Sequence, residues 1–188
     1  MRKEFISGRV IAQPDDWPET PAEFDDCTVR NLDLSGTSLA DCIFTDCTFT
    51  DCNLSNANLR NTAFRNVEFS RCKLLGMLFE DCNPFLLGVE FESCNLLMAS
   101  FRAMKLSGTV FNDCSLREAD FSEVSLYEAV FNNCDLLNAV FDYTSLEDAD
   151  LSTSRNYRIN PERNMLSGAR FSYPEVVGLL SDYGVVLV

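Results

Sequence analysis

The chain has 188 residues, a formal net charge of −14, no histidine and 46% hydrophobic residues. An acidic chain is a poor candidate for direct binding to nucleic acid or to an anionic membrane, because both surfaces repel it. Residues 1–23 lack the basic start and apolar stretch of a secretory signal, and no segment reaches the apolar length of a membrane span. We therefore expect a cytoplasmic protein with a single domain.

Residues 1–23 are predicted to form an N-terminal cap, a short strand and loop around Trp17. Three prolines, Pro14, Pro18 and Pro21, interrupt this stretch and disfavour regular secondary structure. A cap is required here because the repeats that follow would otherwise expose their core and their unpaired backbone.

Leucine or phenylalanine recurs at nearly every fifth position across residues 24–151. This spacing matches neither the period of about 3.6 of a helix nor the period of about 2 of a strand. A fixed short repeat is typical of a solenoid, whose units bury their apolar residues only by stacking on one another. The residues predicted to point inward are Phe24, Val29, Leu34, Leu39, Phe44, Phe49, Leu54, Leu59, Phe64, Phe69, Leu74, Phe79, Leu86, Phe91, Leu96, Phe101, Leu106, Phe111, Leu116, Phe121, Leu126, Phe131, Leu136, Phe141, Leu146 and Leu151.

The position two residues before each of these centres is mostly small, which predicts a second inward position in each repeat. All nine cysteines fall there, and free cysteine packs as a small buried hydrophobe. We interpret them as structural thiols rather than metal ligands, because the chain has no histidine and no C-x-x-C pair. Cys94, Cys114 and Cys134 are spaced by twenty residues and should stack in one column, in which a disulfide is geometrically conceivable but disfavoured in a reducing cytosol. No cofactor is expected.

The repeat register slips by two residues within residues 82–88. This segment contains Pro84 and Gly88, which weaken strand pairing, so we expect a bulge or kink between two halves of the rod. A packing defect accommodated by Phe85 is the favoured interpretation, and a hinge or contact point is the alternative.

After Leu151 the repeat lapses, and residues 152–171 are predicted to be a loop followed by a final partial coil at Leu166 and Phe171. Residues 172–188 are predicted to form a short helix and an apolar tail. Ser172–Glu175 matches a capping box with proline in the first turn, so the helix should run from about Tyr173 to Tyr183 and end at Gly184.

The helix and tail carry more apolar surface than the end of one rod can cover. Such a patch is an aggregation hazard when exposed, so we predict a homodimer in which a second copy covers it. The predicted dimerisation residues are Val176, Val177, Leu179, Leu180, Tyr183, Val185, Val186, Leu187 and Val188.

The repeats resemble those of the pentapeptide-repeat family, whose consensus is A(D/N)LXX. The segments 57–61 (ANLRN), 119–123 (ADFSE) and 149–153 (ADLST) match it well. The resemblance implies an all-β fold, a right-handed quadrilateral parallel β-helix in which four repeats make one coil. The C-terminal segment 156–188 is similar to that of the microcin B17 immunity branch of the family and, more loosely, to that of its Qnr-type fluoroquinolone-resistance branch.

These branches imply a non-enzymatic rod that dimerises through its C-terminal helix and tail and imitates DNA in binding a type II topoisomerase, DNA gyrase or topoisomerase IV. The chain suits such a role between residues 113 and 150, where acidic residues are dense. Residues 118–151 contain no lysine or arginine. The candidate partner-binding residues are Asp113, Glu118, Asp120, Glu123, Glu128, Asp142, Glu147 and Asp148.

Two other interpretations remain open at this stage. The acidity could serve solubility alone, in which case the chain is a structural or scaffolding rod with an unrelated partner. Catalysis is disfavoured, because the sequence offers no histidine, no Gly-rich phosphate loop and no thiol that the repeat register would expose.

Overall fold

A computed structural model describes residues 3–18 and 21–186. Its strands are short and all pair in parallel, each with a strand about one coil away in the chain. Three 3₁₀ helices, Pro14–Asp16, Phe79–Asp81 and Glu175–Tyr183, accompany them. The strands are β1 Glu4–Ser7, β2 Val10–Ile11, β3 Ala22–Asp25, β4 Thr28–Arg30, β5 Ile43–Thr45, β6 Thr48–Thr50, β7 Ala63–Arg65, β8 Val67–Ser70, β9 Val89–Glu92, β10 Val110–Asn112, β11 Val130–Asn132, β12 Asp150–Leu151 and β13 Arg170–Phe171.

The strands stack into two sheets that run along the rod. One sheet has four strands in the order β1-β3-β5-β7, and the other has nine in the order β13-β12-β11-β10-β9-β8-β6-β4-β2, so the chain winds through about eight coils. In the regular coils a residue pairs with the one twenty positions later, as Phe111 does with Phe131. The solenoid predicted from the five-residue period, and the parallel β-helix implied by the resemblance, are confirmed.

The core consists of the Leu and Phe centres, which form columns along the rod. Phe111 stacks between Phe91 and Phe131, with ring centroids 5.1 and 4.8 Å apart. The column of Phe101, Phe121 and Phe141 on the opposite face meets it edge-on across the core, as in the 88° contact between Phe111 and Phe121. Leucines fill the other two faces, so like residues lie on opposite faces as the strict alternation predicts.

The small inward position carries a polar role as well as a packing role. Thr62 and Thr144 are buried there, and each hydroxyl donates to a backbone carbonyl on the preceding coil, at 2.7 and 2.8 Å. Cysteine thiols at other inward positions do the same, as Cys134 does to the Phe111 carbonyl at 3.4 Å. All nine cysteines are buried free thiols, and the predicted column begins earlier than expected, at Cys52.

The register break contradicts one predicted centre. Leu86 is 65% exposed rather than inward, and Phe85, which was expected to fill the defect, is also 65% exposed. The half-buried Leu87 packs against the core in their place. Across the break the pairing offset is 22 residues, as between Phe69 and Phe91, so two extra residues are accommodated within residues 84–88.

Aromatic residues cover both ends of the core. Trp17 stacks on Phe24 at the N-terminal end, with ring centroids 5.3 Å apart. At the C-terminal end Tyr157 and Ile159 are buried, and Tyr157 packs against Phe171 at 5.4 Å. The chain then returns to register, because Arg170 pairs with Asp150.

The C-terminal helix differs from its prediction in type and in start. It is a 3₁₀ helix that begins at Glu175, and no side chain caps its N-terminus, so the predicted capping box is wrong. The Glu175 carboxylate is engaged elsewhere, since it accepts a hydrogen bond of 2.9 Å from the backbone N–H of Asn156. The helix ends at Gly184, which has the left-handed φ of 63° expected there.

Candidate interaction surface

The predicted acidic positions lie at the corners and faces of the rod, as the period requires. A residue two places after a core centre lies at a turn with left-handed φ, and Asp113, Glu118, Glu123 and Glu128 occupy four successive corners with φ between 50° and 62°. All four are exposed. The carboxylates therefore point away from the core on each side of the coil.

Two of the eight candidate acids are held in ion pairs. Arg102 donates to Glu123 at 3.0 Å from the preceding coil. Arg163 contacts both oxygens of Asp142 at 2.8 Å from the following coil. Residues 118–151 contain no basic residue, yet this surface does carry arginines. They come from neighbouring coils, about twenty residues away in the sequence.

Two further acids hydrogen bond locally or to a neighbouring coil. Asp113 accepts from the Asn133 side chain at 3.2 Å, and Asp120 accepts from the backbone N–H of Ser122 at 2.8 Å. These bonds hold the carboxylates in place without neutralising them. Neither acid forms an ion pair within residues 3–18 and 21–186.

The remaining acids, Glu118, Glu128, Glu147 and Asp148, make no ion pair within the part of the chain that the structure describes. Three of them lie together on adjacent coils, because the Glu128 N–H donates to the Glu147 carbonyl at 3.0 Å and Asp148 follows directly. We call Glu128, Glu147 and Asp148 the free acidic strip.

Tyr127 lies beside this strip and was not predicted as a functional residue. It is 42% exposed, and its pKa is raised chiefly by its interaction with the Glu128 carboxylate, then by desolvation, and less by the charges of Asp148 and Glu147. Tyr127 directly follows a core centre, at a position where most repeats carry a polar or charged residue, and this was the signal in the sequence. The strip therefore combines three carboxylates with an exposed aromatic ring.

The C-terminal helix presents an apolar line to solvent. A 3₁₀ helix has about three residues per turn, so Val177, Leu180 and Tyr183 lie above one another. They are 42%, 41% and 46% exposed. Val185 and Val186 extend the apolar surface at 51% and 83% exposure.

The other predicted dimerisation residues are divided between the rod and the tail. Val176 and Leu179 are half-buried, and Leu179 packs against the core of the rod. The helix approaches the rod at Gly178, where a Cβ would collide with the Tyr157 carbonyl. Leu187 and Val188 lie outside the described residues.

Neither a metal centre nor a membrane span is found within residues 3–18 and 21–186. No three Cys, Asp or Glu side chains converge there to hold a metal ion. No helix in those ranges is long and apolar enough to cross a bilayer.

The repeats match three family models that together span most of the rod. A pentapeptide repeat region matches residues 22–101, an eight-copy pentapeptide model matches residues 86–122, and a nine-copy model matches residues 106–150. The chain belongs to the pentapeptide-repeat family. No curated protein matches this pentapeptide-repeat chain.

One solved structure shares its fold at low identity, and two others match it with lower TM-scores. A trypsin-treated form of QnrB1, a plasmid-mediated fluoroquinolone resistance protein, is 16% identical, with a TM-score of 0.62 over 99% of this chain and 98% of that one. A second trypsin-treated form is 20% identical, with a TM-score of 0.45 and full coverage of both chains. HetL, a pentapeptide-repeat protein involved in heterocyst differentiation regulation from the cyanobacterium Nostoc sp. strain PCC 7120, is 16% identical, with a TM-score of 0.33 over 90% of this chain and 88% of that one.

Proposed function

We propose that this pentapeptide-repeat protein is a homodimeric DNA mimic that binds a type II topoisomerase, DNA gyrase or topoisomerase IV, and protects it against topoisomerase poisons. Its role is that of an interaction protein rather than an enzyme. The likeness in fold to a fluoroquinolone resistance protein makes a topoisomerase the partner to test first.

The free acidic strip is the observation that carries the proposal. Glu128, Glu147 and Asp148 place three charges on two coils, or roughly 10 Å of rod at a strand spacing of about 4.8 Å. One strand of duplex DNA carries a charge every ~3.4 Å, which gives about three phosphates over the same length. A basic enzyme surface that normally contacts phosphates would therefore meet a similar charge density.

The proposed dimer would double the length of this surface. The exposed line of Val177, Leu180 and Tyr183, continued by Val185 and Val186, supplies an apolar face at the C-terminal end of each rod. An isologous contact between two such faces buries them and places the free acidic strips of both copies near the centre of the assembly. The C-terminal half of the rod thus combines the proposed dimer contact with the proposed enzyme contact.

A scaffolding rod with an unrelated partner is the second candidate, and one observation favours it. Among the residues that the structure describes, six acids form ion pairs with arginines on neighbouring coils, including Asp51 with Arg71 at 2.7 Å and Asp150 with Arg170 at 3.6 Å. These acids serve coil-to-coil contacts. Acidity alone therefore does not establish mimicry.

A supercoiling assay with purified gyrase separates the two candidates. We expect the wild-type protein to inhibit supercoiling at low salt and to reduce cleavage caused by a fluoroquinolone, with both effects weakening steeply as salt rises. Removing two free charges by Glu128→Gln with Asp148→Asn should weaken both effects strongly.

The matched control removes a complete ion pair by Glu123→Gln with Arg102→Gln. This variant keeps the net charge of the wild type, because the two charges removed are opposite and paired, so the control should retain most of the wild-type effect. A wild-type protein without effect on either enzyme at low salt, or equal losses in the two double variants, would contradict the proposal and favour a scaffolding rod.

A further inference from the structure

Two tyrosines in the C-terminal half of the rod each stand beside an acid on the outer surface. Asp142 directly precedes Tyr143, and Glu128 directly follows Tyr127. Tyr143 is 66% exposed and Tyr127 is 42% exposed. Each pair therefore presents the same two groups to solvent, a carboxylate and an aromatic ring.

One of these pairs holds an arginine of the protein itself. The Nε atom of Arg163 lies 2.8 Å from one oxygen of Asp142, and a terminal nitrogen donates to the other oxygen at 2.8 Å. The same guanidinium lies over the ring of Tyr143, 5.3 Å from its centroid. A planar guanidinium suits both contacts, because it can pair with a carboxylate at two points and stack on an aromatic face. The fold thus shows which chemical group a carboxylate beside a tyrosine binds here.

The other pair has acids and small residues on its neighbouring coils instead of an arginine. Twenty residues after Tyr127 and Glu128 come Glu147 and Asp148, and twenty residues before them come a serine and Gly108. The backbone joins these coils directly. The Glu128 N–H donates to the Glu147 carbonyl at 3.0 Å, and the Gly108 N–H donates to the Tyr127 carbonyl at 2.8 Å. The ring of Tyr127 and the free acidic strip therefore form one patch on two adjacent coils.

The bases on the flanking coils do not neutralise this patch. Lys105, on the preceding coil, makes no ion pair among the residues that the structure describes. Arg170, on the following coil, contacts Asp150 at 3.6 Å. A small residue also bounds the patch on that coil, because a Cβ at Gly168 would collide with the Asp148 carboxylate. The patch thus has the two groups that hold Arg163 and an excess of negative charge.

We infer that Tyr127 and the free acidic strip form a docking site for one arginine side chain of the topoisomerase. The guanidinium would stack on the Tyr127 ring and pair with the Glu128 carboxylate, in the manner of Arg163 at the other pair. Glu147 and Asp148 add attraction from the next coil. This inference rests on the proposed function and adds to it the chemistry of the partner residue and a contact that carries no charge.

The aromatic ring gives this site a preference that carboxylates alone lack. A strip of carboxylates attracts lysine and arginine alike, because both carry one positive charge. An arginine stacks flat on an aromatic face, whereas the lysine ammonium is a compact and strongly hydrated point charge. Tyr127 therefore selects a guanidinium and fixes where along the acidic rod it binds.

The first test measures equilibrium binding of purified gyrase to full-length variants at low salt. Tyr127→Leu removes the aromatic face and should bind about fivefold more weakly than the wild type. Tyr127→Phe keeps the face and should bind as the wild type does. Tyr143→Leu is the matched control, since the ring that it removes is already covered by Arg163, and it should also bind as the wild type does.

The second test measures the preference for a guanidinium. The purified protein is titrated with tetra-arginine and with tetra-lysine, and NMR follows the ring resonances of Tyr127, which are assigned by their loss in Tyr127→Phe. Tetra-arginine should shift these resonances at lower concentrations than tetra-lysine does, because the guanidinium stacks on the ring.

The outcomes separate this inference from the proposed function. Gyrase affinity that is unchanged in Tyr127→Leu, or lowered equally in Tyr127→Phe or Tyr143→Leu, would overturn the inference and leave the proposed function intact. Ring resonances that tetra-arginine does not shift, or that tetra-lysine shifts as readily, would also overturn it. A wild-type protein that does not bind gyrase would overturn the proposed function and this contact together. A loss confined to Tyr127→Leu, with a preference for tetra-arginine, would support the arginine site.

Discussion

The thiol of Cys94 donates a hydrogen bond of 3.2 Å to the carbonyl oxygen of Phe69, which lies on the preceding coil. The same kind of bond recurs along the column, from Cys72 to Phe49 at 3.4 Å and from Cys134 to Phe111 at 3.4 Å. Ser154 continues the column with a hydroxyl that donates to Phe131 at 2.8 Å. The cysteines therefore donate hydrogen bonds to buried carbonyl oxygens as well as filling space in the core.

We expect Cys94→Ser to be tolerated better than Cys94→Ala. A buried carbonyl left without its donor costs roughly 1–3 kcal/mol, whereas serine supplies a hydroxyl that can keep the bond. Urea unfolding of both variants measures the difference. Equal destabilisation, or a more stable alanine variant, would show that the thiol acts through its volume alone.

Phe111→Ala should lower the free energy of unfolding by about 3–5 kcal/mol, because it leaves a cavity in the centre of an aromatic stack. Phe141, at the end of its stack and 6% exposed, should cost less when changed to alanine. Denaturant titration of both variants checks this order. Equal costs at the two positions would contradict the stacked core.

How much of this structure the sequence predicts depends on whether a feature is periodic. The inward direction of Phe111 and the corner position of Glu128 both follow from the five-residue spacing. The exposure of Leu86 does not, because the insertion before it can be accommodated on either side of the backbone. The pairing of Glu123 with Arg102 was missed for a different reason, since its partner lies 21 residues away on the preceding coil.

The C-terminal helix was harder to predict than the rod, because its start depends on a competition for one side chain. Glu175 fits a capping box in sequence, yet its carboxylate binds the Asn156 backbone in the fold. Gly178 has no sequence signal for its role, since the close approach of Tyr157 appears only when the helix lies against the rod.

Asp150 should make the fold sensitive to acid. Its pKa is lowered, chiefly by the Ser152 hydroxyl, which donates to it at 2.6 Å. A group whose pKa is lowered by folding stabilises the fold above its ordinary pKa, and this stabilisation is lost as the pH falls through the folded value. Asp150→Asn should therefore be less stable than the wild type near about pH 7, and the difference should shrink below about pH 4. Urea unfolding at both pH values tests this, and a difference independent of pH would contradict it.

Leu180→Lys should convert the proposed dimer into a monomer, because it places a charge in the centre of the apolar line. Val140→Lys is the matched control, since Val140 is 47% exposed on the side of the rod. Sedimentation velocity should give a dimer for the wild type and the control and a monomer for Leu180→Lys. A monomeric wild type, or a Leu180→Lys variant that remains dimeric, would reject this interface.

Competition with DNA tests the central claim most directly. Labelled duplex DNA bound to purified gyrase is titrated with the unlabelled protein, and fluorescence anisotropy reports how much DNA stays bound. DNA mimicry predicts complete displacement, weakened by added salt and weakened further by Glu128→Gln with Asp148→Asn, because the protein and the DNA occupy the same basic surface. Gyrase that holds the protein and the DNA together, or displacement that is indifferent to these two charges, would contradict the account.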